Sequence, residues 1–146
     1  MPKWNPLKNV RILNKKKEII ELETPRQYAA SCKISQNAYL ISGGCSEKDA
    51  GRPSLKTSEI IEFKPEEDKW IVRKGMDLPF EIYRHSAVKW DENTIYIIGV
   101  ISAIPIGSEE VRTWILDMEG SYRQGPSLNI PRLPDEVVTA AIITSN

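Results

Sequence analysis

The residues that most often carry chemistry in proteins are few in this chain. There is one histidine, His85, and there are two cysteines, Cys32 and Cys45. The sequence contains no His-x-x-x-His pair, no Cys-x-x-Cys pair, no Gly-x-Ser-x-Gly nucleophile turn and no glycine-rich phosphate loop. A histidine-based triad or metal site has only His85 to draw on. We therefore predict no catalytic residue, no metal ligand and no cofactor.

Each of these candidates has a simpler structural explanation. We expect His85 to be a hydrogen-bonded residue at the start of a strand rather than a catalytic group. The isolated carboxylates Asp91 and Asp117 lie at predicted turns, where aspartate bonds its own backbone. Two cysteines are too few for a disulfide framework, so Cys32 and Cys45 are predicted to be reduced thiols, with a bond between them as the alternative.

The composition is that of one ordinary soluble domain. The chain has 146 residues, of which 40% are hydrophobic and 27% are charged. Its 20 basic and 20 acidic side chains cancel, so no global field attracts nucleic acid or an acidic membrane. No apolar run is long enough to cross a membrane, and no apolar h-region follows the N-terminus. The sequence predicts a cytoplasmic protein, with a nuclear location as the alternative.

A short apolar strand that ends at glycine occurs twice, at 38–44 and at 94–100. Each copy is followed by a polar loop, a second strand, an acidic turn and an aromatic residue, which is Trp70 in the first copy and Tyr122 in the second. The tryptophans and tyrosines at strand positions are expected to pack in the core, among them Trp90. A self-similarity of about fifty residues built from strands indicates a repeat protein.

These units resemble kelch repeats. The resemblance rests on the strand that ends in glycine, the closing aromatic residues and a basic residue followed by histidine. The matching residues are Tyr39, Gly43, Gly44, Trp70, Arg84, His85, Tyr96, Gly99 and Tyr122.

The resemblance implies an all-β fold, a kelch-type β-propeller fragment with about two four-stranded blades. The blades are placed at 27–74 and 85–125, with partial blades at 17–24 and 137–144 after an irregular segment at 1–16. Propellers take typically four to eight blades. The chain is therefore expected to belong to a longer propeller or to be completed by another subunit. A small open β-sandwich is the alternative.

By resemblance, the loops after the glycine strands and the crossings between blades, at 76–83 and 128–136, lie on the face that kelch proteins use to hold partners. In the first of these loops, Lys48 and Arg52 are candidates to pair with acidic groups of a partner. The second loop, predicted at 101–110, is unusually apolar, and its Ile104 and Ile106 are candidates to face a partner. The arginines near the starts of the inner strands, which are Arg26, Arg84 and Arg132, are expected either to bond neighbouring backbone or to contact a ligand.

We therefore predict a non-catalytic kelch-repeat module that mediates protein–protein interaction, as a scaffold or a substrate-recruiting adaptor. The expected partner is a protein of unknown identity, not a nucleic acid or a membrane. A carbohydrate-handling or enzymatic propeller of the same fold is the alternative, as is a degenerate fragment with no independent function.

Overall fold

The structure is a computed structural model that describes residues 7–11, 18–46, 54–103 and 108–126. These residues form β-strands and one short 3-10 turn, and they contain no α-helix. The all-β class predicted from the sequence is therefore confirmed. The strands in chain order are β1 (Leu7–Arg11), β2 (Ile19–Arg26), β3 (Ala30–Ser35), β4 (Ala38–Ser42), β5 (Ser58–Lys64), β6 (Lys69–Lys74), β7 (Ser86–Lys89), β8 (Thr94–Ala103), β9 (Ser108–Asp117) and β10 (Tyr122–Gln124).

The strands form three antiparallel sheets. Strands β1 and β2 make a two-stranded sheet, which we call the N-terminal pair. Sheet I has the order β3-β4-β5-β6, and sheet II has the order β7-β8-β9-β10. In both four-stranded sheets each strand pairs with the next one along the chain. The two stretches that the repeat pattern separates thus form two meanders of the same design.

Alternating burial explains why these segments are strands. In β3 every second residue is buried, which places Cys32 beside Leu40 of β4, and Leu40 beside Ile60 of β5, in one apolar row. The turns between strands use polar residues as predicted. Asp91 accepts the N–H of the residue two positions on, and Asp117 accepts the N–H groups of the residues two and four positions on.

The three sheets stack face to face. One face of sheet I, including Leu40 and Ile60, packs in a single buried cluster with Ile95 and Ile97 of sheet II. The opposite face packs Ile61 against β2 of the N-terminal pair. Strand β3 contacts β7, the first strand of the next sheet, and β2 contacts β6, the last strand of sheet I. First strands therefore neighbour each other at one side of the stack, and last strands at the other.

A repeated hydrogen-bond pattern shows that the exits of the two sheets are equivalent. In sheet I, the Ser58 carbonyl accepts the Gly75 N–H at 2.9 Å, and the Ser58 hydroxyl donates to the Met76 carbonyl at 2.5 Å. In sheet II, the Thr113 carbonyl accepts the Gly125 N–H at 2.8 Å, and the Thr113 hydroxyl donates to the Pro126 carbonyl at 2.6 Å. Each hydroxyl therefore ties the exit of its sheet's last strand to the third strand.

Two sequence-based expectations are wrong. The segment 1–16 was expected to be irregular, but Leu7–Arg11 forms β1, because β2 supplies a backbone partner and Val10 packs against its core. The loop expected at 101–110 is largely strand, because β8 and β9 stay paired as far as Ala103 and Ser108. Local propensity did not reveal either pairing, since strand formation depends on the neighbouring strand.

The expected partial blades have different outcomes. The segment 17–24 overlaps β2, which runs from Ile19 to Arg26. The strand predicted at 137–144 lies outside the described residues.

Candidate partner-binding surface

The long connections of sheet I and the crossing to sheet II meet at one end of the stack. The Gly44 N–H donates to the Ile82 carbonyl at 2.8 Å, and the Ile82 N–H donates to the Leu55 carbonyl at 3.2 Å. The Leu78 N–H donates to the Lys56 carbonyl at 2.6 Å. We call this region, residues 27–29, 43–46, 54–57 and 75–85, the loop end. The hydrogen bonds between its segments give it a defined shape, which a binding surface needs.

A buried ion pair lies beneath the loop end. Arg26 Nε donates to Glu59 Oε2 at 2.8 Å, and the two side chains are 1% and 6% exposed. Arg26 Nη1 also donates to the carbonyls of Gly43 and Thr57, both at 2.9 Å, while Glu59 Oε1 accepts the Glu23 N–H at 2.7 Å. Because these groups satisfy one another, Arg26 joins β2 to sheet I. Of the two roles left open for Arg26, the structure supports the bond to neighbouring backbone.

The glycine pair fits the chain closely at the end of β4. Gly43 and Gly44 have φ values of 60° and 94°, in the left-handed region that favours glycine. A Cβ on Gly44 would lie 2.6 Å from the Gln27 carbonyl oxygen, and a Cβ on Gly43 would collide with the Ile82 carbonyl oxygen. Both glycines therefore allow the neighbouring segments of the loop end to approach.

His85 is a buried residue at the start of sheet II. Its Nε2 lies 2.9 Å from the Ser42 hydroxyl, and its Nδ1 has no hydrogen-bond partner in the described part of the chain. Burial lowers the pKa of His85 from 6.5 to about 4, so the ring is neutral at pH 7. The histidine links sheet II to β4 of sheet I.

The aromatic repeat residues are more exposed than expected. The core-packing prediction is wrong for Trp90 and Tyr122, which are 51% and 54% exposed because one follows the end of β7 and the other lies on the edge strand β10. Tyr39 lies near Trp70, with ring centroids 6.4 Å apart, whereas Tyr96 packs against Trp90 at 5.5 Å.

The two repeat tyrosines are not equivalent. Tyr39 precedes Gly43 by four residues and Tyr96 precedes Gly99 by three, so the two side chains point to opposite faces of their sheets. Gly99 lies within β8, where a Cβ would come 2.5 Å from Ile82 Cδ1.

Two tyrosines and an arginine are exposed together at the loop end. Tyr28 and Tyr83 are 38% and 44% exposed. The guanidinium carbon of Arg84 lies 4.7 Å from the centroid of the Tyr28 ring and 5.9 Å from that of Tyr83. The Arg84 N–H also donates to the Tyr28 carbonyl at 2.9 Å. We call these three residues the aromatic–arginine patch.

The backbone of this patch is strained. Tyr28 and Arg84 both have φ of 54°, a conformation that costs a residue other than glycine about 1–2 kcal/mol. Each lies two residues before the first strand of its sheet, so the strain occurs at equivalent positions of sheets I and II. Strained residues are concentrated at functional sites, which makes this patch the leading candidate site.

Sequence reasoning placed Tyr83 in a crossing on the expected partner face and left open whether Arg84 bonds backbone or contacts a ligand, but it missed Tyr28 as a site residue. The missing signal was the alignment of the repeats on Gly43 and Gly99, which places Tyr28 and Arg84 at equivalent positions. The loop residues expected to face a partner lie outside the described residues: Lys48, Arg52, Ile104 and Ile106.

Other chemistry finds little support in the part of the chain that the structure describes. That part contains no group of three or more histidine, cysteine and acidic residues that could hold a metal ion. Cys32 and Cys45 are both buried and do not form a disulfide, and burial raises the pKa of Cys32 to about 11, so its thiol stays protonated. The described ranges contain no helix that could span a membrane.

Comparison with protein-family models and with curated proteins finds no match to this chain.

Proposed function

We propose that the chain is a segment of a kelch-type β-propeller and that it binds a protein partner through the loop end, as a scaffold or adaptor. The architecture is compatible with this assignment, because blades of a propeller are four-stranded antiparallel sheets arranged around a centre. Sheets I and II are both four-stranded and antiparallel, and β3 lies beside β7 as two inner strands would. The overlap of β2 with β6 fits two outer strands.

The observation that carries the binding proposal is the aromatic–arginine patch. Tyrosine and arginine are enriched among the residues that dominate binding energy at protein interfaces. Here both tyrosines and Arg84 are exposed, and a backbone hydrogen bond holds Arg84 to Tyr28 between the entries of sheets I and II. A surface that is already ordered loses less conformational entropy when a partner binds.

The number of sheets adds a proposal about assembly. A propeller ring needs typically four to eight blades, and sheets I and II supply two. We expect further blades from a longer chain or from another subunit. Light scattering on the purified protein checks the second possibility, since a mass equal to one chain contradicts completion by a second copy.

The binding proposal is tested by affinity purification with the full chain and with the double variant Tyr83→Ala/Arg84→Asn. Asn tolerates the left-handed conformation at position 84, so the fold should survive. Arg123→Ser removes an exposed arginine of β10 and serves as the matched control.

We expect the wild type and the control to capture the same partner proteins and the double variant to lose them. Capture that does not depend on the patch would contradict the assignment. So would a full chain that captures no protein and turns over a small molecule.

A further inference from the structure

The ring contacts leave the hydrogen-bonding capacity of Arg84 unused. An arginine side chain carries five N–H donors in a planar fork, and stacking over an aromatic face consumes none of them. Among the described residues, no carboxylate forms an ion pair with Arg84, and the side chain is exposed. Within the described ranges, the donors of Arg84 are therefore not paired with a carboxylate.

The contrast with Arg26 shows what this means. Arg26 is buried, and its guanidinium donates to Glu59, Thr57 and Gly43. Arg84 is instead fixed by the faces of Tyr28 and Tyr83. An oriented guanidinium with free donors matches the planar, two-oxygen geometry of a carboxylate, which it can bind with two parallel hydrogen bonds.

We propose that the aromatic–arginine patch selects a carboxylate, so that the partner segment is an acidic peptide with an apolar residue that packs on the exposed tyrosines. This inference rests on the proposed protein-binding function and names the chemistry of its partner. The carboxylate takes the fork of Arg84, and the adjoining apolar side chain covers the rings of Tyr28 and Tyr83. A lysine at position 84 would supply the charge without the bidentate fork.

The charged residues near Arg84 allow a test of whether the patch prefers an acidic or a basic ligand. The same crossing carries Asp77, which pairs with Lys74 at 3.8 Å, and the exposed Glu81. A negative charge at Glu81 opposes an acidic ligand and favours a basic one. Glu81→Gln should therefore tighten the binding of an acidic peptide, by up to about fivefold, and weaken that of a basic peptide.

The experiment screens a display library of random twelve-residue peptides against the full chain. The strongest peptides are then synthesised in two forms, one natural and one with every Asp and Glu replaced by Asn and Gln. Fluorescence anisotropy gives the Kd of each form for the wild type, Tyr83→Ala, Arg84→Lys, Arg84→Asn, Glu81→Gln and the control Arg123→Ser. Thermal unfolding of each variant confirms that it folds.

We expect enrichment of Asp and Glu, a loss of about tenfold or more for the amide peptides, and a similar loss for Arg84→Asn. Arg84→Lys should fall between Arg84→Asn and the wild type, and Arg123→Ser should bind as the wild type does.

Enrichment without acidic residues, or equal binding by Arg84→Asn and the wild type, would overturn the carboxylate inference. If such peptides still lose affinity in Tyr83→Ala, protein binding at the patch stands and only the carboxylate is wrong. If no library peptide binds, the inference also fails. If Tyr83→Ala/Arg84→Asn also captures the same proteins as the wild type in the affinity purification, the proposed function fails as well.

Discussion

Sheets I and II are joined to the sheet before them at equivalent positions by different chemistry. Arg26 and Ile82 each lie four residues before the first strand of a sheet, and Glu59 and Trp114 each follow the hydroxyl residue of the third strand. At sheet I the two positions form a buried ion pair. At sheet II they belong to one apolar cluster, where Trp114 also packs on Phe80 with ring centroids 4.6 Å apart.

Neighbouring sheets can therefore stack with either an ion pair or an apolar contact at the position that joins them, which we call the joint. The apolar joint gains stability from buried surface, whereas the ionic joint must recover the desolvation of two charges through its hydrogen bonds. The ionic joint fixes orientation more narrowly, because Arg26 and Glu59 bond to named backbone groups on both sides. It is also the joint that a single substitution damages most.

The largest effect is expected from Glu59→Leu. The substitution leaves the Arg26 guanidinium buried without its counter-charge, which costs about 3–5 kcal/mol of unfolding free energy. The double variant Arg26→Met/Glu59→Leu imitates the apolar joint of sheet II and should recover most of that loss. Urea denaturation measures all three proteins.

Arg73→Met is the control for this cycle, because it breaks a half-exposed ion pair with Glu62 and should cost less than about 1 kcal/mol. If Glu59→Leu were as mild as this control, the ionic joint would not hold β2 to sheet I.

The next largest effect is expected from alanine at the two equivalent glycines, which should cost different amounts of stability in the two sheets. Gly43→Ala meets both a positive φ and the backbone carbonyl of Ile82, so we expect a loss of about 3 kcal/mol. Gly99→Ala meets the end of the Ile82 side chain, which can move, so a loss of about 1 kcal/mol is expected. Chemical denaturation of the two variants decides the order, and equal losses would contradict the account.

Acid should destabilise sheet II more than sheet I, because sheet II has the titratable His85 where sheet I has Ala29. The folded pKa of His85 is about 4, below the unfolded value of 6.5, so the unfolded state binds the proton first as pH falls. Stability from the neutral ring is therefore complete above pH 6.5 and decreases toward pH 4, by about 3 kcal/mol.

The measurement is the pH dependence of unfolding free energy for the wild type minus that for His85→Gln, which does not titrate. A difference that stays constant between pH 7 and pH 4 would show that His85 is solvated rather than buried.

The smallest effects are expected where the sheets agree. Ser58→Ala and Thr113→Val each remove one hydroxyl that donates to a carbonyl at the sheet exit, at a cost of about 1 kcal/mol. Thermal unfolding should show nearly equal losses. A large difference between the two variants would mean that the repeated pattern does not reflect equivalent positions.

Much of the architecture could be predicted from short-range patterns. Alternating apolar residues and glycine stops located most strands of sheets I and II, and Asp91 and Asp117 marked two turns. Strand β1 was missed because its pairing with β2 is a tertiary contact that single-sequence periodicity does not encode.

The candidate site was harder to predict, because it depends on contacts between residues far apart in the chain. Tyr28 meets Arg84 only when sheets I and II are stacked, and Glu59 finds Arg26 across the N-terminal pair and sheet I. The sequence showed an aromatic residue and several charges, but neither the exposure of Tyr28 nor the burial of Glu59 follows from residue type.

The most direct measurement is hydrogen–deuterium exchange of the full chain, alone and with the protein that it captures. The account predicts that the partner slows exchange within 27–29 and 75–85, where the aromatic–arginine patch lies, and leaves the turns at the opposite end, 36–37 and 91–93, unchanged. Slower exchange confined to those opposite turns or to the edge strands β6 and β10 would contradict the account.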